Sequence, residues 1–390
     1  MVPRDDGTEA VARGQLTLMS YRARAVVLTG PKSFEMHDFD MPTVREDDAV
    51  IQVEACGICG TDYEQYRGDV VSDAFRTPFP AVPGHEPVGQ VSAIGPEAAR
   101  RWGVAVGDRI AVRPVYGCGR CSSCLAGNAA GCNSRGGTYG LTDISKPPSL
   151  WGGYAEYMYV HPLSTVVKVP TAIPSAIATL INPLACGLSW GATTPRTQKG
   201  DHVVVLGSGQ RGLACAFAAK QAGAETVTIT GLSKDSEKLE LARHFGATST
   251  IVVDEGLDIV TALRDATGGA GADVVVDTTP FAVESLPHAV AASAQRGRIV
   301  LAGIKGRRPT PNLFHDDIVL KQLTIFGVSA TTAADFVAAG ELLATDAGRA
   351  IDHMHTKSYP LAAAEEAVLA AAGVGGGKQL IHVAIEPGRT

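Results

Sequence analysis

From Asp201 to about Gly327 the chain alternates short, almost wholly apolar runs (HVVVLG, TVTIT, STIVVD, DVVVDTT, RIVLAG, LTIFGV) with helical stretches such as SEKLELARHFGA. Strands that are apolar at nearly every position cannot show one face to water. Their alternation with helices therefore predicts a parallel sheet covered on both faces. The first of these strands runs directly into GSGQRG, with Gly207, Gly209 and Gly212 ahead of a helix. In that setting the glycines predict a dinucleotide site, because they permit a tight turn and let a pyrophosphate approach the helix N-terminus. Gln210 and Arg211, between the second and third glycines, belong to the same candidate cofactor site.

The second apolar strand ends in TVTITGLSKDSEK. A ribose-binding carboxylate is expected at that strand end, and Gly231 stands there instead, followed by Leu232, Ser233 and Lys234. Without the carboxylate a 2′-phosphate is not repelled, and Ser233 and Lys234 are candidates to bind it. This favours NADP over NAD; in the alternative, Lys234 only begins a solvated helix and NAD binds without the carboxylate.

The preceding region, from Tyr21 onward, reads as short strands broken by glycine and proline: ARAVVLTG, DDAVIQVEACG, PVGQVSAIG, VGDRIAVRP. Such a pattern suggests a barrel-like or sandwich β domain. A chain of 390 residues exceeds one ordinary domain, and 45% hydrophobic residues suffice to fill two or three cores. After the apolar alternation the tail predicts a helix at LAAAEEAVLAAAG and a last strand at KQLIHVAI. A formal charge of −6 without blocks of like charge argues against nucleic acid or an anionic membrane as partner. No run of ~18 uninterrupted apolar residues and no signal-like apolar stretch occurs, so a cytoplasmic protein is expected. Residues 1–20 read as an N-terminal extension, either disordered or belonging to an alternative start.

Cys118, Cys121, Cys124 and Cys132 follow C-x2-C-x2-C-x7-C, four of the eight cysteines within YGCGRCSSCLAGNAAGC. Clustered thiols in a reducing compartment point to a metal, and four thiolates around tetrahedral zinc make a closed site that staples a loop. An iron–sulfur cluster can use related spacing, but is less expected in a β-domain loop. Saturated by four sulfurs, such a zinc stabilises and performs no chemistry. A second group, Cys59 in EACGICGTDYEQYRG with His85 and Glu86 in AVPGHEPVGQV, offers the thiolate, imidazole and carboxylate used where zinc keeps one position open. Spacing alone does not establish this second site, and Cys56 could equally be a buried small residue.

Taken in order, CGICGTD, GHEPVGQV, the four-cysteine lobe, GGYAEYMYV and the glycine loop resemble the zinc-dependent medium-chain dehydrogenase/reductase family, in its polyol, threonine and glucose dehydrogenase-like branch. The resemblance covers nearly everything after residue 20. It implies a GroES-like β-rich catalytic domain over 21–183 and 328–390, with the structural zinc lobe at 116–133, and a Rossmann domain over 184–327. It also implies two Zn2+ per chain, NADP or NAD as cofactor, a small alcohol or carbonyl substrate, and a homodimer or homotetramer.

Matched residue by residue, the resemblance makes Cys59 and His85 catalytic zinc ligands and Glu86 an adjacent carboxylate able to reach the metal. Thr61 becomes the hydroxyl that passes the substrate proton, Asp62 the carboxylate that orients the site, and Lys378 a contact to cofactor phosphate. Two positions depart from the branch. Asn182, in INPLACG, stands where a glutamate or cysteine ligand is usual and becomes a catalytic zinc ligand through its amide oxygen, neutral and weaker; Cys186, one turn later, is an alternative ligand or a buried small residue. Glu64 stands where many relatives carry a relay histidine, and is either a proton path or substrate contact or an ordinary exposed acid. Tyr63, Tyr66, Trp151 and Tyr154 are candidates for the substrate pocket or for the core.

The activity implied is hydride transfer between a secondary alcohol, polyol or sugar-type hydroxyl and NAD(P), zinc acidifying the hydroxyl. The competing readings are a carbonyl reductase of secondary metabolism and a degenerate NAD(P)-binding protein that retains only the structural zinc.

Overall fold

A computed structural model of the chain describes residues 22–69, 78–133, 136–254, 256–374 and 380–389; the N-terminal extension and Lys378 lie outside them. The predicted parallel sheet has six strands, lying side by side as Ser249–Val252, Thr226–Gly231, His202–Leu206, Ala272–Asp277, Ser293–Leu301 and Thr324–Gly327. All are parallel. The strand His202–Leu206 shows why its sequence lacks alternation. Val203 and Val205 pack into one core with Leu213 and Phe217. Val204 and Leu206 pack into another with Leu263 and Ala289. Each face therefore meets its own helical layer.

Chain order across this sheet reverses between His202–Leu206 and Ala272–Asp277, which pair with Leu206 opposite Asp277. The crevice beyond such a reversal is where open α/β sheets bind ligands. GSGQRG begins there. Gly207 has φ +99°, a region other residues enter only with strain, and a Cβ on Gly212 would lie 1.9 Å from the Gly207 carbonyl oxygen. Only glycine lets the helix Gln210–Gln221 start that close to the strand.

The other half is a mixed seven-stranded sheet. Its strands run His355–Pro360, His382–Glu386, Ala49–Gly57, Glu86–Ile94, Arg109–Val112 and Val166–Lys168, and Tyr157–Val160 also pairs with Ala49–Gly57. The predicted last strand thus returns to the first half, with Ala384 opposite Gly57 and Ile385 opposite Cys56. The predicted tail helix is Ala364–Ala372.

The halves meet at a helix crossing built from small residues. A Cβ on Gly187 would sit 2.4 Å from the Ala214 carbonyl oxygen, and one on Gly191 2.5 Å from that of Cys215. The helix Ile181–Gly187 and the turn Leu188–Thr193 therefore press directly on Gln210–Gln221. This contact brings Asn182 and Cys186, on the helix where the chain passes from one half to the other, to the start of the dinucleotide helix. Among the described residues no helix is long and apolar enough to cross a membrane.

Candidate active site and metal centres

Strand register assembles the first metal group. Gly57 pairs with Glu86, so Cys59, two residues beyond one strand end, lies beside His85 and Glu86 at the start of the other. Ligand atoms of Cys59, His85 and Glu86 all lie within 4.8 Å of one another, and all three residues are buried. Cys59 caps the helix Gly60–Arg67, where a helix N-terminus favours negative charge. Its backbone N–H donates to Asp62 Oδ2 at 2.7 Å. The other Asp62 oxygen stands 3.5 Å from His85 Nδ1, so the imidazole presents Nε2 towards Glu86, 4.0 Å away. A carboxylate behind a ligating histidine fixes ring orientation and raises ligand basicity.

Charge in this pocket calls for a cation. Burial raises the pKa of Glu86, against the pull of His85 and Arg211. Burial likewise opposes protonation of His85, but Asp62 and Cys59 outweigh it and hold its pKa well above the usual histidine value. Glu86 Oε2 and Asp62 Oδ1 are buried and accept no hydrogen bond. A divalent cation beside the Cys59 sulfur, an imidazole nitrogen of His85 and the Glu86 carboxylate would offset this buried charge, and the donor set is one zinc uses where it keeps an open position. Asn182 donates its Nδ2 hydrogen to Glu86 Oε1 at 2.6 Å. That amide nitrogen is turned to the carboxylate, beside the three donors. Cys186 stands apart from the ligand group, and burial pushes its thiol up to about 12.

The four-cysteine lobe forms the second group, its ligand atoms again within 4.8 Å of one another. Cys118 and Cys124 sulfurs lie 3.9 Å apart, close to the ~3.8 Å between two thiolates held ~2.3 Å from one tetrahedral zinc. Backbone N–H groups of Cys118 and Cys121 donate to the sulfurs of Cys132 and Cys118, each at 3.3 Å, which stabilises thiolates. Gly117 is required: a Cβ there would lie 2.4 Å from the Cys124 sulfur.

One cavity of about 820 Å³ connects the metal group to the glycine loop. Cys59, Thr61, Glu64, His85 and Asn182 line its metal end, and Gly207, Gly209, Gln210, Arg211, Gly212, Gly231 and Lys234 line the remainder. Asp62 and Glu86 are buried behind that wall. Thr61 Oγ1 is 3.8 Å from the Cys59 sulfur. Glu64 is half-buried, and burial with Asp69 raises its pKa while Arg211 and Arg67 oppose the shift. Gln210 ties the two halves, donating from Nε2 to the Ile58 carbonyl at 3.2 Å. A Cβ added to Gly209 would meet no protein atom within 4 Å. Open space of this kind above a helix N-terminus is what a dinucleotide pyrophosphate requires.

Ser233 and Lys234 are exposed; the Ser233 backbone N–H donates to Asp254 Oδ1 at 3.2 Å. The aromatic candidates lie off the cavity wall. Trp151 packs edge-on to Tyr159 and beside Tyr116 in the β-half core, because its ring is too large to leave that core unfilled. Tyr154 is fully buried against Cys56 and Gly84, Tyr66 bonds Glu365, and Tyr63 stacks on Tyr66. Residues not singled out in the sequence also line the cavity, among them Arg113, Trp190, Asp235 and Lys238. Trp190 was findable, since Asn182, Cys186 and Trp190 recur every four residues on one helical face. Asp235, already held by Lys238 Nζ at 2.8 Å, carried no sequence signal.

A Rossmann half whose glycine loop opens on a buried Cys–His–Glu group, joined to a β half stapled by four cysteines, defines an NAD(P)-dependent zinc oxidoreductase. The chain belongs to the zinc-dependent medium-chain dehydrogenase/reductase family: residues 45–171 match the alcohol dehydrogenase GroES-like domain and residues 212–345 the zinc-binding dehydrogenase domain. It is 41% identical over 370 residues, 93% of this chain and 98% of the relative, to the "Probable alcohol dehydrogenase adh" of Mycobacterium tuberculosis. It is 33% identical over 314 residues to the erythritol/L-threitol dehydrogenase of Mycolicibacterium smegmatis, covering 78% of this chain and 83% of that one. A crystallised "putative zinc-binding dehydrogenase" from Sinorhizobium meliloti 1021 bound to NADP superposes with TM-score 0.80 at 27% identity, over 94% of this chain and 100% of that one.

Proposed function

We propose that this protein oxidises a secondary alcohol, polyol or sugar-type hydroxyl to a ketone or aldehyde, or runs the reverse reduction, with NAD(P). The observation that carries this reading is the convergence of Cys59, His85 and Glu86 at one end of a cavity whose other end is the glycine loop. When bound, zinc supplies a Lewis acid that lowers the pKa of a hydroxyl, and the nicotinamide supplies the hydride acceptor.

Cys59, His85 and Glu86 hold the metal, Asp62 orients His85, and Asn182 keeps Glu86 turned to the site. The Thr61 hydroxyl, beside Cys59 on the cavity wall, accepts the substrate proton. Glu64, on the same wall, hands it towards solvent. Backbone N–H groups at Gln210, Arg211 and Gly212, unpaired in the first helical turn, receive the pyrophosphate. NADP is favoured, since Gly231 offers no carboxylate to repel a 2′-phosphate and Lys234 stands exposed beside it. A cytoplasmic homodimer or homotetramer completes the reading.

The test is a panel of secondary alcohols, polyols and sugars assayed with both cofactors on zinc-replete protein, alongside Cys59→Ala. Cofactor-dependent oxidation lost in Cys59→Ala is the expected result. No turnover with any of them, in a protein that keeps one tightly held zinc, favours a nucleotide binder instead.

A further inference from the structure

Among the described residues, no acceptor or acid pairs with the Arg211 guanidinium. Its guanidinium lies over the Trp190 ring, 5.5 Å from the centroid, and that ring is fixed by its own N–H donating to the Ala330 carbonyl at 3.4 Å. Nε is buried without an acceptor, and among the described residues Arg211 makes no hydrogen bond or ion pair. The side chain faces the cavity shared with Cys59, Glu64 and His85. A guanidinium is ionised throughout the physiological range, so the side chain places a fixed positive charge on the wall of that cavity.

A half-buried, unpaired cation destabilises the fold unless something completes it. Within the first helical turn the backbone N–H groups serve the cofactor phosphates; the Arg211 side chain leaves them and runs to the metal end. A guanidinium held over an indole face by a cation–π contact uses none of its N–H groups in that contact, and such groups fit the two oxygens of a carboxylate. Neutral Asn182, in place of another acid on this wall, leaves the pocket more receptive to an anion.

We propose that Arg211 binds a carboxylate on the substrate, so that the enzyme acts preferentially on hydroxy acids rather than neutral alcohols. This deepens the alcohol-oxidoreductase reading and rests on it for the identity of the reacting group. The binding of the anion is independent of turnover.

The experiment titrates butyrate and the neutral butyramide into the zinc- and NADPH-loaded protein by calorimetry, in wild type, Arg211→Leu and Arg211→Lys. Butyrate is expected to bind about ten- to a hundredfold more tightly than butyramide. Arg211→Leu should abolish the difference and Arg211→Lys retain part of it. In parallel, the ratio of kcat/KM for 3-hydroxybutyrate over its methyl ester should collapse in Arg211→Leu, a ratio that cancels any loss common to both substrates. Equal binding of the two probes, or a butyrate preference that survives Arg211→Leu, overturns the proposal. So does a loss confined to NADPH affinity, which would assign Arg211 to the cofactor. Absence of turnover with every alcohol would defeat the functional reading while the binding comparison still decides this one.

Discussion

Asn182 and Glu86 are joined by one hydrogen bond of 2.6 Å, from the amide Nδ2 to Oε1, between positions 96 residues apart in the β half. Glu86 is 2% exposed and its other oxygen accepts nothing. Removing the amide leaves a buried carboxylate free to turn from the site. Asn182→Leu is expected to weaken zinc at the Cys59 group about 10–100-fold. Zinc retained per chain against graded chelator is the measurement; unchanged retention would show that Asn182 does not position Glu86.

Cys59→Ala and His85→Ala should each lower zinc by one per chain and reduce turnover at least about a thousandfold, since the metal supplies several kcal/mol of charge stabilisation. Far-ultraviolet circular dichroism should stay that of wild type, because neither side chain fills a core. Loss of both zincs together in either variant would contradict two independent metal groups.

Cys118→Ser strikes the other group. The lobe's helix spans only Ser122–Leu125 and buries none of its residues, so metal ligation supplies most of its order. We expect a lower melting temperature and rapid proteolysis within residues 116–133. A lobe that resists protease without its zinc would refute this.

For the cofactor, Lys234→Ala should raise KM for NADP about three- to thirtyfold, one exposed charge-assisted contact being worth about 1–2 kcal/mol. KM for NAD should move little. Equal effects on both cofactors would remove Lys234 from the discrimination.

His382 gives a pH dependence unrelated to catalysis. It is buried, with Nε2 near the Thr179 hydroxyl at 3.1 Å and Nδ1 near His355 Nδ1 at 3.1 Å. Burial, with His355 adding to it, lowers its pKa to about 3 from 6.5. The unfolded chain therefore binds a proton that the folded one refuses between those values. Stability should fall by about 1.4 kcal/mol for each pH unit below 6.5, levelling near pH 3. Urea unfolding of wild type and His382→Leu at pH 7, 6 and 5 checks this: the difference between them should shrink as pH falls. A constant difference would refute it.

Much of the site was readable in advance because its chemistry is local in sequence. Four cysteines within one loop can only converge on each other, and the glycine loop follows from what a strand must do before a helix. Trp151 and Tyr154 show the limit. An aromatic near a motif reads equally as pocket or core, and only the packing of Trp151 against Tyr159 and of Tyr154 against Gly84 decides it for the core.

The sequence by itself determined the periodicities, hence the elements, and the residue types able to hold zinc and a dinucleotide. The tertiary structure alone decided that Asn182 turns its amide to Glu86, that Gln210 reaches Ile58, and that Arg211 lies over Trp190. These relationships join positions 96, 152 and 21 residues apart in the chain. Their distances depend on how closely two helices cross at Gly187 and Gly191, a quantity set by packing between elements, which no local pattern encodes.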